Sequence, residues 1–235
     1  MPNGEVGHRS KDTILRVVQV QIYKLFLKKQ LKMSKNRVIV YIDGFNLYFG
    51  MQDAGIENSK WLNIKSLIES YLTHNQELIE IKYFTSRITN QPGKQKRQTT
   101  YLEALETSGV TIIYGLYKAK DIECNNCGHN WSVSNEKMTD VNIATHLLLD
   151  AFEDKYDTAI LISGDSDLVP PVKAIHKHFN KKTVSVFFPP NRHNVTVAGA
   201  AKGSQIIGKK KIKDHQFSLN ITKKDGYILT KPESW

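Results

Sequence analysis

The stretch RVIVYID, from Arg37 to Asp43, decides the fold because it reads as one buried strand that ends in a carboxylate. Strand-forming residues in succession, without polar alternation, are typical of a strand covered on both faces, as in a parallel sheet. A buried charge is costly unless something pairs it. Asp43 must therefore either emerge at the edge of the sheet, where the strand ends, or have a charged partner. An amide, Asn46, follows three residues later.

Beyond Asp43 the chain alternates between helix patterns and strand patterns. Apolar runs predict strands at 78–88, 110–119, 158–164 and 183–190 and a short one at 205–207, and helical spacing predicts helices at 64–71, 94–109, 139–153 and 167–179. This alternation predicts an α/β fold in which helices cover both faces of a mainly parallel sheet. In such sheets, ligands bind beyond the carboxyl ends of the strands.

Three further carboxylates are expected at that edge. In ILISGDSDLVP (160–170), Asp165 and Asp167 directly follow a predicted strand. Asp140 lies in the first turn of the helix that EKMTDVNIATHLLLDAF (136–152) predicts. Two simpler roles stay open, because Asp167 is well placed to cap the next helix and Asp140 to interact favourably with a helix dipole.

Carboxylates gathered at one edge would repel each other, and at least one would take up a proton unless a cation neutralised them. Their hard oxygen ligands suit Mg²⁺ or Mn²⁺, which keep several waters. The pattern therefore predicts a divalent-metal site held by Asp43, Asp140, Asp165 and Asp167. Asn46 could orient a ligand water or a substrate phosphate, or it could cap a helix after the first strand.

Three motifs in this order resemble the NYN domain, in its LabA-like branch, within the PIN-like nuclease fold: VYIDGFNLYFG (40–50), EKMTDVNIATHLL (136–148) and ILISGDSDLVPPVKAI (160–175). The resemblance covers about residues 37–207. It implies a PIN-like three-layer α/β sandwich and a metal-dependent ribonuclease with a carboxylate pocket. Matched residue by residue, it carries the family's site onto Asp43, Asn46, Asp140 with Lys137 before it, Asp165 and Asp167.

A phosphodiester substrate brings negative charge to an acidic pocket, so basic side chains should flank it. The predicted substrate contacts are Lys94, Lys96, Arg97, Lys137, Arg192 and His193. Tyr48 and Phe49 could stack on bases, although core packing suits Phe49 better. Single-stranded RNA is the expected partner.

The only two cysteines, Cys124 and Cys127, form a Cys-x-x-Cys turn in the segment near 121–137. This is half of a zinc site, and His129 could be a third ligand. A complete structural Zn²⁺ site would need a distant ligand or a second subunit, which leaves a homodimer open. The alternative is a reduced turn without metal. So few cysteines form no disulfide framework and favour the cytoplasm.

The net charge of +10 lies in the two ends of the chain. Residues 1–37 hold nine Lys/Arg and two acids, and residues 208–235 hold seven and three. We therefore expect a basic, helical N-terminal extension at 1–36, the NYN domain at 37–207 and a basic tail at 208–235. Basic arms often contact polyanions, but they could equally be solvated tails. No stretch of 18 apolar residues occurs, so no membrane span is expected.

These observations predict a divalent-metal-dependent ribonuclease that hydrolyses RNA with a metal-activated water held by the Asp cluster. Two alternatives stay open. One is a non-catalytic RNA-binding or regulatory NYN protein, and the other is a nucleotide phosphatase.

Overall fold

A computed structural model describes residues 16, 19–23, 35–89, 91–123, 126–233 and 235, with the backbone alone for 116–123 and 131–137. The chain divides into two compact units, Met1–Asn36 and Arg37–Trp235. In the first unit, residues 16 and 19–23 are helical. In the described part of the chain, no helix combines the length and the apolar character that a membrane span requires.

The second unit is built on a six-stranded sheet with the strand order β3-β2-β1-β6-β7-β8. The pairs β2–β3, β1–β6, β6–β7 and β7–β8 are all parallel. The strands in the described residues are β1 (Asn36–Asp43), β2 (Gln76–Thr85), β3 (Thr111–Tyr114), β4 (Leu116–Glu123), β5 (Asn130–Lys137), β6 (Thr158–Ile162), β7 (Thr183–Phe188), β8 (Gly203–Ile206), β9 (Asn220–Thr222) and β10 (Ile228–Thr230). The register of the central pair sets Val38 opposite Thr158 and Ile42 opposite Ile162.

Helices alternate with these strands along the chain. They are α1 (Gly44–Asp53), α2 (Ile64–Glu69), α3 (Pro92–Thr107), α4 (Thr139–Phe152), α5 (Val169–His178), α6 (Val195–Ala200) and α7 (Lys209–Asp214). Short 3₁₀ turns lie at Glu57–Ser59 and Ser166–Leu168.

The central strand β1 shows why the fold has three layers. Successive side chains of a strand point to opposite faces. Val38, Val40 and Ile42 enter one core, with residues of α1, α2 and α3. Ile39 and Tyr41 enter the other, with residues of α4, α5 and α6. The predicted PIN-like three-layer sandwich is therefore confirmed.

The prediction of one strand over 110–119 was wrong. β3 ends at Tyr114, and after Gly115 the chain leaves the sheet as β4, which pairs antiparallel with β5. The apolar run is continuous across Gly115, so hydropathy alone did not show where the chain leaves the sheet. The signal available in the sequence was Gly115 itself, because a glycine inside a strand pattern often marks such a break. Cys127 thus lies in the turn between the two strands of this hairpin.

The segment 208–235, expected as a tail, packs against the domain. It carries α7 and the antiparallel β9–β10 hairpin. Ile212 and Leu229 are buried in the same core as α1 and α3. The indole N–H of Trp61 donates to the carbonyl of Ser218 at 2.8 Å. These contacts hold the C-terminal segment on the face of the sheet that α1, α2 and α3 cover.

One buried ion pair lies across the second core. Lys82 on β2 and Asp150 on α4 form a salt bridge and are 5% and 1% exposed. The hydroxyl of Tyr41 donates to the same carboxylate at 2.7 Å. Burial raises the pKa of Asp150, but the hydrogen bonds from Lys82 and Tyr41 outweigh it, and the net pKa is lowered. The hydropathy pattern of these segments gave no sign of this pair.

Candidate active site

Asp43 is both the last residue of β1 and the N-cap of α1, so no residue separates the strand from the helix. One carboxylate oxygen accepts the backbone N–H of Asn46 at 3.0 Å, and the other accepts the hydroxyl of Ser163 at 3.0 Å. The side chain is buried, and this burial raises its pKa against the lowering effect of the two hydrogen bonds. Asp43 thus reaches the edge of the sheet and is held there by neutral donors.

The turn after β6 carries the paired acids. The Ser163 hydroxyl oxygen accepts the backbone N–H of Asp165 at 3.1 Å while the same hydroxyl donates to Asp43. Asp165 in turn accepts the backbone N–H of Asp167 at 2.9 Å, so it caps the short 3₁₀ turn. Asp167 does not cap the next helix, because α5 begins after Leu168 without a side-chain cap. Sequence reasoning missed Ser163, although a hydroxyl directly after the strand was a visible signal.

Two asparagines hold this turn from opposite sides. The Asn46 side-chain oxygen accepts the backbone N–H of Gly164 at 3.0 Å, and the Asn194 amide donates to the Gly164 carbonyl at 3.1 Å. Neither of the two roles expected for Asn46 describes this bond, since Asp43 makes the helix cap. Gly164 is required for a close approach, because a Cβ there would lie 2.0 Å from the carbonyl oxygen of Arg192.

Gly164→Ala is therefore expected to lower the free energy of unfolding by about 1–3 kcal/mol, since backbone must move to admit one methyl group. Urea unfolding at neutral pH measures this change. Gly199→Ala is the matched control, because a Cβ at Gly199 meets nothing within 4 Å. Equal stability of the two variants would contradict the close approach.

Asp140 faces the same edge from the first turn of α4. The preceding residue, Met138, has a φ of 77°, which turns the chain from β5 into the helix. Burial and the nearby carboxylates of Asp165, Asp43 and Asp167, in that order, raise the pKa of Asp140 to about 6. The other three predicted acids are therefore close enough to Asp140 to act on it electrostatically.

Three of these acids line a cavity of about 220 Å³ at the carboxyl edge of the sheet. We call it the acidic cleft. Its other described lining residues are Phe45, Asn46, Phe49, Met138, Thr139 and Arg192. Asp167 is exposed and is absent from the described lining. Arg192 brings one cation to the cleft and forms a salt bridge with Asp53.

The donor set of the acidic cleft suits a hard divalent ion, because carboxylate oxygens dominate it. Within the described residues, no group of three or more His, Cys, Asp and Glu side chains is arranged to hold a metal ion. Mg²⁺ commonly binds through one or two carboxylates and keeps its other positions for water and phosphate. One or two of Asp43, Asp140 and Asp165 could bind such an ion while water fills its other positions.

The other predicted contact residues are divided between separate places. Tyr48, Lys94 and Arg97 line a second cavity of about 260 Å³ between α1 and α3. We call it the aromatic pocket, after the rings of Phe45, Tyr48, Phe49, Tyr83, Tyr101 and Trp235. Lys96 is exposed and lines neither cavity.

His193 is exposed and packs against Phe188, with ring centroids 4.8 Å apart. The Lys137 side chain lies outside the described part of the structure. So does Cys124, and the zinc half-site stays a prediction. Cys127 is an exposed free thiol, and His129 is exposed in the same turn.

Two relatives are informative. The chain is 27% identical over 204 residues to 6-hydroxy-3-succinoylpyridine 3-monooxygenase HspA of Pseudomonas putida (strain DSM 28022 / S16). This match covers 72% of the chain and 64% of that relative, so the chain spans less than two thirds of its length. A crystal structure of a Vibrio parahaemolyticus RIMD 2210633 protein of unknown function matches with a TM-score of 0.55 and 21% identity. It covers 75% of this chain and 96% of the other, and supports the fold.

The family itself is shown by the match to a family model. The LabA-like branch within it stays a prediction. The family model described as the NYN domain matches residues 37–202, the span that carries β1, α4 and the turn after β6. This chain therefore belongs to the NYN domain family, whose fold is nuclease-like.

Proposed function

We propose that this protein is a divalent-metal-dependent ribonuclease that cleaves single-stranded RNA in the acidic cleft. The observation that carries the proposal is the convergence of Asp43, Asp140 and Asp165 on one cavity at the carboxyl edge of the sheet. Acids held this close need a cation or a proton. Membership of a family with a nuclease-like fold supports the same reading.

One or two of Asp43, Asp140 and Asp165 would bind the ion, Mg²⁺ or Mn²⁺, directly, and the remaining acid would act through its waters. When bound, such an ion supplies Lewis acidity toward a phosphoryl oxygen and a more acidic water. The chain's own residues do the positioning. Ser163 fixes Asp43 and the backbone of Asp165 together, and Asp53 holds the Arg192 guanidinium at the rim. There Arg192 would contact a phosphate oxygen.

Incubation of labelled single-stranded RNA with Mn²⁺ or Mg²⁺ tests the proposal. We expect cleavage that depends on the added metal and stops when a chelator removes it. RNA binding without cleavage would favour a regulatory NYN protein. Release of inorganic phosphate from mononucleotides, without cutting of RNA, would favour a nucleotide phosphatase. Either result contradicts the ribonuclease.

A second candidate function is oxidation of a hydroxylated heteroaromatic acid. Similarity to the Pseudomonas monooxygenase supports it, and the aromatic pocket offers apolar rings beside cations. The test supplies 6-hydroxy-3-succinoylpyridine with oxygen and a reduced nicotinamide cofactor and looks for a hydroxylated product by mass spectrometry. The ribonuclease proposal expects no product.

A further inference from the structure

The aromatic pocket combines aromatic rings with positively charged side chains. Six aromatic rings line it, together with the cations of Lys60, Lys94 and Arg97. None of the described residues that line it is Asp or Glu. Rings suit a planar ligand, because stacking on aromatic side chains stabilises any base. The cations suit a ligand that also carries negative charge.

Lys60 is the most informative of these cations, and sequence reasoning did not single it out. It is 7% exposed. Its ammonium lies 4.0 Å from the centre of the Tyr48 ring and 3.5 Å from the side-chain oxygen of Gln52. In the described part of the chain, no carboxylate forms a salt bridge with it. A buried cation without an anion is costly, so the pocket favours an anionic occupant.

The aromatic pocket also adjoins the acidic cleft. Phe45 and Phe49, on successive turns of α1, line both cavities. Their rings are nearly parallel, with centroids 6.2 Å apart. A chain of nucleotides with one phosphate in the cleft would therefore bring a neighbouring base to the pocket.

We propose that the aromatic pocket binds one nucleotide, with its base among the aromatic rings and its phosphate on Lys60, Lys94 and Arg97. This proposal rests on the proposed ribonuclease function, since it assigns the pocket to a nucleotide next to the cleaved bond. In this proposal Lys60 and Lys94 bind the substrate, and the metal ligands take no part in binding this nucleotide.

Titration calorimetry with AMP and UMP tests the pocket, with ribose 5-phosphate as the ligand that lacks a base. All titrations contain a chelator and use Asp165→Asn, so binding is measured without cleavage. We expect both nucleotides to bind at least about tenfold more tightly than ribose 5-phosphate, since stacking contributes about 1–3 kcal/mol per base. Lys60→Met should weaken nucleotide binding about tenfold or more. Lys65→Met, an exposed lysine of α2 that lines neither cavity, should not change it.

Lys94→Met gives a second measurement of the loss of nucleotide affinity. Lys94 is exposed, so replacing it does not disturb the core. Equal affinity for AMP, UMP and ribose 5-phosphate would overturn the proposal. So would tighter, Lys60-dependent binding of 6-hydroxypyridine-3-carboxylate, which would make the occupant a small heteroaromatic acid. If RNA is cleaved but nucleotides do not bind, only the pocket assignment fails. If nucleotides bind and RNA is not cleaved, only the ribonuclease fails.

Discussion

Asp165→Asn is expected to lower the rate of RNA cleavage by at least about 100-fold while the protein stays folded. Mutating a side chain that only supports a metal ligand typically lowers activity by about 10–100-fold, and losing a carboxylate that binds the metal should lower it more. Asparagine keeps an oxygen that can accept the backbone N–H of Asp167, which Asp165 now accepts at 2.9 Å. The substitution therefore removes the negative charge and retains the cap of the 3₁₀ turn. Initial rates on labelled RNA at saturating Mn²⁺ measure the effect.

Asp225→Asn is the matched control for this substitution. Asp225 also caps a turn, since its side chain accepts the backbone N–H of Tyr227 at 3.0 Å, and it lies outside the described lining of both cavities. We expect this variant to cleave RNA at the wild-type rate. Cleavage by Asp165→Asn at the same rate as Asp225→Asn would overturn the assignment of the acidic cleft.

Asp150→Ala should have the largest effect on stability. It removes the buried carboxylate beside the Lys82 ammonium, which keeps the half-buried Glu80 at 3.5 Å, and leaves the Tyr41 hydroxyl without that acceptor. Breaking a buried pair by removing one partner costs about 3–5 kcal/mol, and we expect about 3 kcal/mol here because Glu80 still compensates part of the Lys82 charge. Urea unfolding at pH 7, followed by circular dichroism, should show a loss of this size.

The Lys82–Asp150 pair also predicts how the free energy of unfolding changes with pH. Because the folded-state pKa of Asp150 is lowered, its contribution to stability is complete above the ordinary carboxyl pKa of about 4 and disappears as the pH falls through the folded value. The gap between wild type and Asp150→Ala should therefore shrink below about pH 4. The double variant Lys82→Met/Asp150→Leu should be more stable than Asp150→Ala at pH 7, since it buries no charge. A gap that widens in acid would contradict the ion pair.

The layered fold was predictable because its signal is periodic. The apolar run of β1 and the repeated alternation of strands and helices are enough to indicate a parallel sheet covered on both faces. The same logic predicted that Asp43 and Asp165 lie at one edge, because Asp43 ends one strand, Asp165 follows another, and the carboxyl ends of parallel strands meet there. The Lys82–Asp150 pair was not predictable, since two charged residues at interior positions run against the hydropathy pattern.

The division of the site into two cavities could not be read from the sequence. Lys94 and Arg97 were expected beside the acids, yet both line the aromatic pocket. A sequence shows that a helix is basic, but the neighbouring element that its cations face depends on tertiary packing. Lys60 gave no signal in the sequence, because its contacts with Tyr48 and Gln52 of α1 depend on tertiary packing.

The direct junction of β1 and α1 bears on how this protein can vary in length. Asp43 ends the strand and caps the helix, so there is no connecting loop to absorb an insertion. One added residue would rotate α1 by about 100° and carry Phe45 and Phe49 away from the wall that separates the two cavities. Insertions and deletions should therefore be rejected at Gly44 and tolerated far better at the turn between β4 and β5.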